Sequence, residues 1–167
     1  PSRAIPWSLI AALVVTSALF WAAAGRASVV VDGVRYHFLD DDQMISMRYA
    51  RNLADGLGPV WNAGERVEGY TNFGWMLVMA AVHAGGAGDA TAALWVQAIN
   101  WLLACATVLL AGRLLVALGG GRQAWAVLVP LALATDLLFW AVNGFETTLL
   151  TAAFLWCVIR VLRDTGR

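Results

Sequence analysis

Residues 90–111 carry no charged side chain. As a helix, a run of that length reaches across the roughly 30 Å hydrocarbon core of a bilayer. Further apolar runs occupy residues 7–24, 124–142 and 147–159. Hydrophobic residues make up 60% of the 167-residue chain and its mean hydropathy is +0.69, too apolar for a domain that meets water on every side. The expected fold is therefore an all-α integral membrane protein.

Net charge is zero, so there is no electrostatic footprint for nucleic acid. Every basic side chain is Arg, and with abundant Ala, Gly, Val and Trp this composition points to a GC-rich bacterial genome. Cys105 and Cys157 fall inside apolar runs and are expected as buried, inert thiols rather than a disulfide. The chain reads as an N-terminal piece of a longer protein, beginning at Pro1 and ending just after an apolar helix.

The first run, residues 7–24, has Trp7 and Trp21 near its ends, where indole rings favour the interface. Arg3 and Ala22-Ala23-Ala24 resemble parts of a cleaved signal peptide. The run exceeds the usual ~7–15-residue signal core, so a retained anchor is the expectation. Residues 28–38 mix Val, Tyr and charges and are expected to be extended. Asp40-Asp41-Asp42 then opens a helix over residues 41–55, stopped by Gly56, Gly58 and Pro59. Met47, Tyr49, Ala50, Leu53 and Ala54 share one side, and Asp41, Arg48, Asn52 and Asp55 the other. Such a helix lies along a membrane surface. Residues 73–84 are apolar but too short to cross and suit a re-entrant helix. Spans are expected at 90–112, at 123–142 with a kink at Pro130, and at 146–163.

Arginine placement orients these segments. If 73–84 crosses, Arg113, Arg122, Arg160, Arg163 and Arg167 face outward. If it only dips in, the four-span chain puts them with Arg3 on the cytoplasmic side, as the positive-inside rule requires. Four spans place an outer loop, residues 25–89, on the same face as the turn Asn143-Gly144-Phe145-Glu146. The chain is thus expected to be a multi-pass protein of the bacterial inner membrane with its polar loop outside the cytoplasm.

That loop holds the candidate chemistry. Clustered carboxylates at Asp40-Asp41-Asp42 suit a general base or a divalent-cation site, against a plain solvated helix cap. Arg48, Arg51 and Arg66 offer planar donor forks for phosphate, or pair with Asp55, Glu65 or Glu68. Glu65 and Glu68 suit sugar hydroxyls, or form local ion pairs with Arg66. Trp61, Tyr70 and Trp75 could stack on a sugar ring or anchor the loop at the interface. Glu146 is a further acidic candidate, or only a helix N-terminal carboxylate. His37 and His83 lack metal-ligand spacing.

Three stretches together carry a resemblance. They are Asp41-Asp42 with Ile45, Arg48 and Arg51-Asn52-Leu53; Gly58-Pro59-Val60-Trp61-Asn62 with Gly64-Glu65-Arg66-Val67-Glu68; and Thr71 with Trp75. This pattern resembles the first outer loop of GT-C-fold glycosyltransferases that use polyprenyl-phosphate sugars, in particular the terminal β-arabinofuranosyltransferase group of mycobacteria and its uncharacterised bacterial relatives. Gly144-Phe145-Glu146-Thr147 resembles that group's Gly-Leu-Glu element.

The resemblance implies transfer of a sugar, arabinofuranose among the candidates, from a polyprenyl-phosphate donor to an acceptor hydroxyl of a cell-envelope glycan, lipid or protein. It implies Asp41 and Asp42 as catalytic residues or ligands of a divalent cation, Mg or Mn, while Asp40 has no counterpart in the group. Arg48 and Arg51 would bind the donor phosphate. Asn62, Glu65, Arg66, Glu68, Tyr70, Thr71 and Glu146 would line the sugar and acceptor site. An isolated piece of this length is expected to be inactive. The competing classes are a transporter or channel, for which only Asp136 near Pro130 offers a mid-membrane ionisable group, and a non-catalytic membrane scaffold.

Overall fold

The computed structural model describes residues 6–120 and 128–165. The chain is mostly helical: α1 Trp7–Arg26, a hairpin of β1 Ser28–Val31 and β2 Val34–His37, α2 Asp41–Ala54, α3 Phe73–Ala84, α4 Ala92–Ala117, α5 Leu128–Ala132, α6 Thr135–Val142 and α7 Thr147–Asp164. Arg3, Arg122 and Arg167, which bear on the expected orientation, lie outside the described residues, as do positions 123–127 of the third expected span.

Among the described residues, α1 (20 residues) and α4 (26 residues) are long and apolar enough to cross a membrane. Residues 28–38, expected to be extended, form an antiparallel hairpin with Val31 opposite Val34. Its two-residue turn, Asp32-Gly33, has both φ angles positive, +50° and +79°, as a right-twisted hairpin prefers.

The third apolar run departs from a single kinked helix. It breaks at Leu133-Ala134, beyond Pro130, and Ala134 is extended with ψ 117°. Proline disturbs the turn that precedes it, so the break has a different origin: Thr135-Asp136 starts a new helix with an acidic residue in its first turn. The carbonyl freed at the end of α5 is satisfied from a neighbour, because the Thr16 hydroxyl of α1 donates to Ala132 O at 2.5 Å.

The core is layered along α4. Its N-terminal half, through Ala92, Ala93 and Val96, packs under α2 and α3, whose Tyr49, Met76 and Met79 are fully buried. Farther along, Val108 meets Leu9 and Ala12 of α1 and Leu128 and Ala132 of α5. Ala104 lies between Phe20 of α1 and Ala141 of α6. The pair α2–α3 is thus a cap on the end of α4. Cys105 is half-buried and Cys157 is exposed on α7, both as free thiols, so the expectation of burial fails for Cys157. It faces outward from α7 beside exposed Trp156.

Two polar side chains inside α4 fix the turn between α6 and α7. Gln97 Nε2 donates to Val142 O at 2.9 Å. Asn100 Nδ2 donates to Ala141 O and Phe145 O at 3.2 and 3.1 Å, and its Oδ1 accepts from the Thr148 hydroxyl at 2.5 Å. Buried carbonyls at a helix break need such partners.

Candidate functional site

The connection from α2 to α3, residues 55–72, is longer than the ~12–15 residues at which an unstructured loop becomes uncommon. It folds back along α2 and is fastened at three points. Near the C-terminal end of α2, Asn52 Nδ2 donates to Val60 O at 2.7 Å and Trp61 O at 2.9 Å, while Arg48 Nε donates to Trp61 O at 3.2 Å. Midway, the Tyr49 hydroxyl donates to Val67 O at 2.9 Å. At the N-terminal end, Ser46 Oγ donates to Asn72 Oδ1 at 2.7 Å.

Asn52 therefore does not sit on the wet face with Asp41, Arg48 and Asp55. It is buried, because the returning loop covers that side of the helix and brings carbonyls that need a donor. Replacing Asn52 by Leu strands those acceptors and is expected to cost about 1–3 kcal/mol, read as a lowered midpoint in thermal unfolding of the full-length protein in detergent.

The Tyr49 ring is buried beneath the loop and packs edge-on to Tyr70 at 5.0 Å. A Cβ at Gly69 would lie 2.7 Å from the Tyr49 hydroxyl oxygen, so the loop can pass this close only as glycine. Tyr49→Phe removes the hydroxyl's bond to Val67, worth about 1 kcal/mol. Trypsin should then cleave after Arg66 about fivefold faster, since local opening controls cleavage.

Asn72 is the junction of the site. Besides accepting from Ser46, its Nδ2 group donates to Gln43 Oε1 and to Glu146 Oε2, each at 3.1 Å. The turn before α7 is drawn in by two more bonds: Asp40 N donates to Asn143 O at 3.1 Å, and the Trp75 indole donates to Gly144 O at 2.7 Å. The polar loop and the Glu146 turn thus meet, across 74 residues of sequence. Trp75 is only 2% exposed. It neither reaches a sugar ring nor anchors at an interface; it is a core residue that holds the turn.

At the start of α2 the three aspartates each offer a carboxylate oxygen, all within 4.8 Å of one another. Asp41 and Asp42 are exposed, and Asp40 is partly covered. Partial burial raises the Asp40 carboxyl from its ordinary value, with help from its hydrogen bond to Asp41. Asp42 N donates to Asp41 Oδ1 at 3.0 Å.

The two arginines of α2 differ. Arg51 is bound by Asp89 at 2.5 Å and lies 3.7 Å from Asp55. Pairing with Asp55 is the expected alternative to phosphate; Asp89 is an additional partner. Arg48 uses Nε on the loop and makes no ion pair among the described residues. Asn62 Nδ2 donates to Glu65 Oε2 at 3.0 Å. Glu65, Arg66, Glu68 and Thr71 are exposed, Tyr70 is half-buried, and Arg66 makes no ion pair with either glutamate among the described residues. Gln43, Ser46 and Asn72, absent from the sequence-derived candidates, are what bring Glu146 to the aspartate end of α2.

No family model and no solved structure matches the chain. It is similar to curated relatives named terminal β-(1→2)-arabinofuranosyltransferase. The protein of Corynebacterium glutamicum is 37% identical over 75 residues, covering 45% of this chain and 10% of the relative. That of Mycobacterium tuberculosis is 41% identical over 90 residues, covering 51% of this chain and 13% of the relative. The matched region is thus a small part of those proteins' length, and within it this chain is similar to glycosyltransferases.

Proposed function

We propose that the chain is the N-terminal part of a GT-C-type transmembrane domain, and that the whole protein is a membrane glycosyltransferase. In this reading it moves a sugar, with arabinofuranose the leading candidate, from a polyprenyl-phosphate donor to a hydroxyl of a cell-envelope glycan, lipid or protein. This part of the domain has four spans, and the loop of residues 25–89 lies on the extracytoplasmic face of the bacterial inner membrane. The observation that carries the reading is the Asn72 junction, which joins Glu146 to the acidic end of α2. The similarity to the arabinofuranosyltransferases supports it.

The chemistry follows from what each group can do. As the acceptor oxygen attacks the anomeric carbon, its proton passes to the Asp41 or Asp42 carboxylate. The bond between that carbon and the phosphate oxygen breaks, and the polyprenyl phosphate departs with the electron pair. Arg48 meets the charge left on that phosphate; Arg51, already bound by Asp89, serves it less directly. Glu146, with Asn62, Glu65, Arg66, Glu68, Tyr70 and Thr71, forms the sugar and acceptor side. Asp41 and Asp42, whose carboxylate oxygens lie with that of Asp40 within 4.8 Å of one another, would hold a Mg or Mn ion, a hard cation that takes oxygen ligands. Such an ion would lower the pKa of a bound hydroxyl.

The test is transfer from a synthetic polyprenyl-phosphate sugar by the full-length protein carrying Asp41→Asn and Asp42→Asn. Loss of transfer is expected, and unchanged turnover overturns the assignment.

A further inference from the structure

The hairpin β1–β2 has two unlike faces. Side chains alternate along a strand, and the register pairs Val29 with Tyr36 and Val31 with Val34. One face therefore consists of Val29, Val31, Val34 and Tyr36, continued by Phe38. All five are between 36% and 49% exposed. The other face carries Ser28, Val30, Arg35 and His37; Ser28 and Arg35 are joined by a 2.9 Å hydrogen bond, and Val30 is the one exposed apolar side chain there. A two-stranded ribbon with an uncovered apolar face is marginal in water, and among the described residues no third strand pairs with it.

Its position names what covers that face. Phe38 N donates to Ala27 O, immediately after α1, and His37 N donates to Ala90 O, just before α4. The base of the hairpin is thus tied to the ends of both membrane-length helices. If α1 and α4 cross the bilayer, this is the level at which they leave the hydrocarbon. Four residues per strand reach only about 13 Å, so the ribbon stays within the interfacial zone. Arg26, at the end of α1, is exposed beside it and suits anionic headgroups.

We infer that the apolar face of this hairpin lies flat on the lipid bilayer, as an interfacial anchor at the mouth of α1 and α4. The opposite face, with Ser28 and Arg35, points to water, and the Asp32 turn rests among the headgroups. Between the hairpin and α2 opens a slot of about 330 Å³, with Val29, Tyr36 and Met44 among its apolar lining and Arg48, Arg51 and Asp89 among its polar lining. This inference depends on membrane insertion of α1 and α4 and not on the transferase reading, so either can fail alone.

The test places a nitroxide at Val31 or Val34 in the full-length protein, through cysteine on a Cys105→Ser, Cys157→Ser background. The protein is reconstituted in phosphatidylcholine–phosphatidylglycerol liposomes. Both positions are exposed and outside the slot, so the label displaces no packed atom. The ratio of oxygen to nickel-chelate collisions is expected to be several-fold higher there than at a label on Ala63 of the exposed return loop. Equal ratios would put the hairpin in water and overturn the inference. Exclusion of both reagents would mean that protein covers the face, from elsewhere in the chain or from a second copy, and would overturn it equally.

Discussion

Replacing both Asp41 and Asp42 by Asn in the full-length protein is expected to slow sugar transfer by about 10²–10⁴-fold, the usual contribution of a positioned general base. That loss corresponds to roughly 3–5.5 kcal/mol of transition-state stabilisation. The change is conservative for the fold. Both side chains are exposed, and the hydrogen bond from Asp42 N to Asp41 Oδ1 needs only an oxygen, which Asn keeps. A folded but inactive protein is the predicted outcome, checked by unchanged thermal unfolding beside the transfer assay. The single variants divide the roles, because the residue that takes the proton should account for most of the loss. Asp40→Asn serves as a comparison: its backbone N–H still reaches Asn143 O, and its partly covered carboxyl is less open to an acceptor than the exposed Asp41 and Asp42. Its effect should be the smallest.

Local structure in the polar stretch is legible because it follows from local rules. The helix expected over residues 41–55 is found at Asp41–Ala54, and that over 73–84 at Phe73–Ala84; aspartates and glycines mark their ends. The approach of Glu146 to the loop follows from arginine bias, an argument about which side each turn lies on. What stays hidden is tertiary satisfaction of polar groups. Nothing near Asn72 announces that its amide will join Gln43, Ser46 and Glu146, and nothing near Asn52 shows that carbonyls eight and nine residues on will need it. Other features had signals that periodicity alone passes over. Gln97 and Asn100 lie three residues apart in an uncharged run, where polar side chains are costly and usually have a partner to serve. Asp32-Gly33 between valine-rich segments is a hairpin signal. Arg51 shows the opposite limit: its pairing with Asp55 is readable at helical spacing, whereas that with Asp89 depends on how α3 returns the chain to α2.

Gly144→Ala should destabilise the protein by about 2–5 kcal/mol, through two effects that can be measured separately. The first is conformational. Gly144 has φ +87°, and a residue with a Cβ pays roughly 1–2 kcal/mol in that region. The second is packing. The added Cβ would stand 2.7 and 2.8 Å from the Leu39 δ carbons and 3.0 Å from its γ carbon, well inside the 3.5–4.0 Å of favourable carbon contact. Leu39 is 5% exposed within the α2–α3 core and has little room to retreat, so overpacking adds about 1–3 kcal/mol. Gly64 isolates the first effect: its φ is +86° and a Cβ there meets nothing within 4 Å. Gly64→Ala should cost only the conformational part, and the difference between the two variants gives the packing part. A double-mutant cycle with Leu39→Ala should show the alanines compensating each other, since the smaller side chain vacates the clash. The activity consequence follows from what the turn carries. Asn143 O receives Asp40 N–H and Gly144 O receives the Trp75 indole, so a displaced turn moves Glu146 away from Asn72. Transfer should therefore fall in Gly144→Ala even at temperatures where the protein remains folded, and Gly64→Ala should leave it nearly unchanged. Equal stability of the two variants would show that Leu39 yields freely and that the turn is not held by this contact.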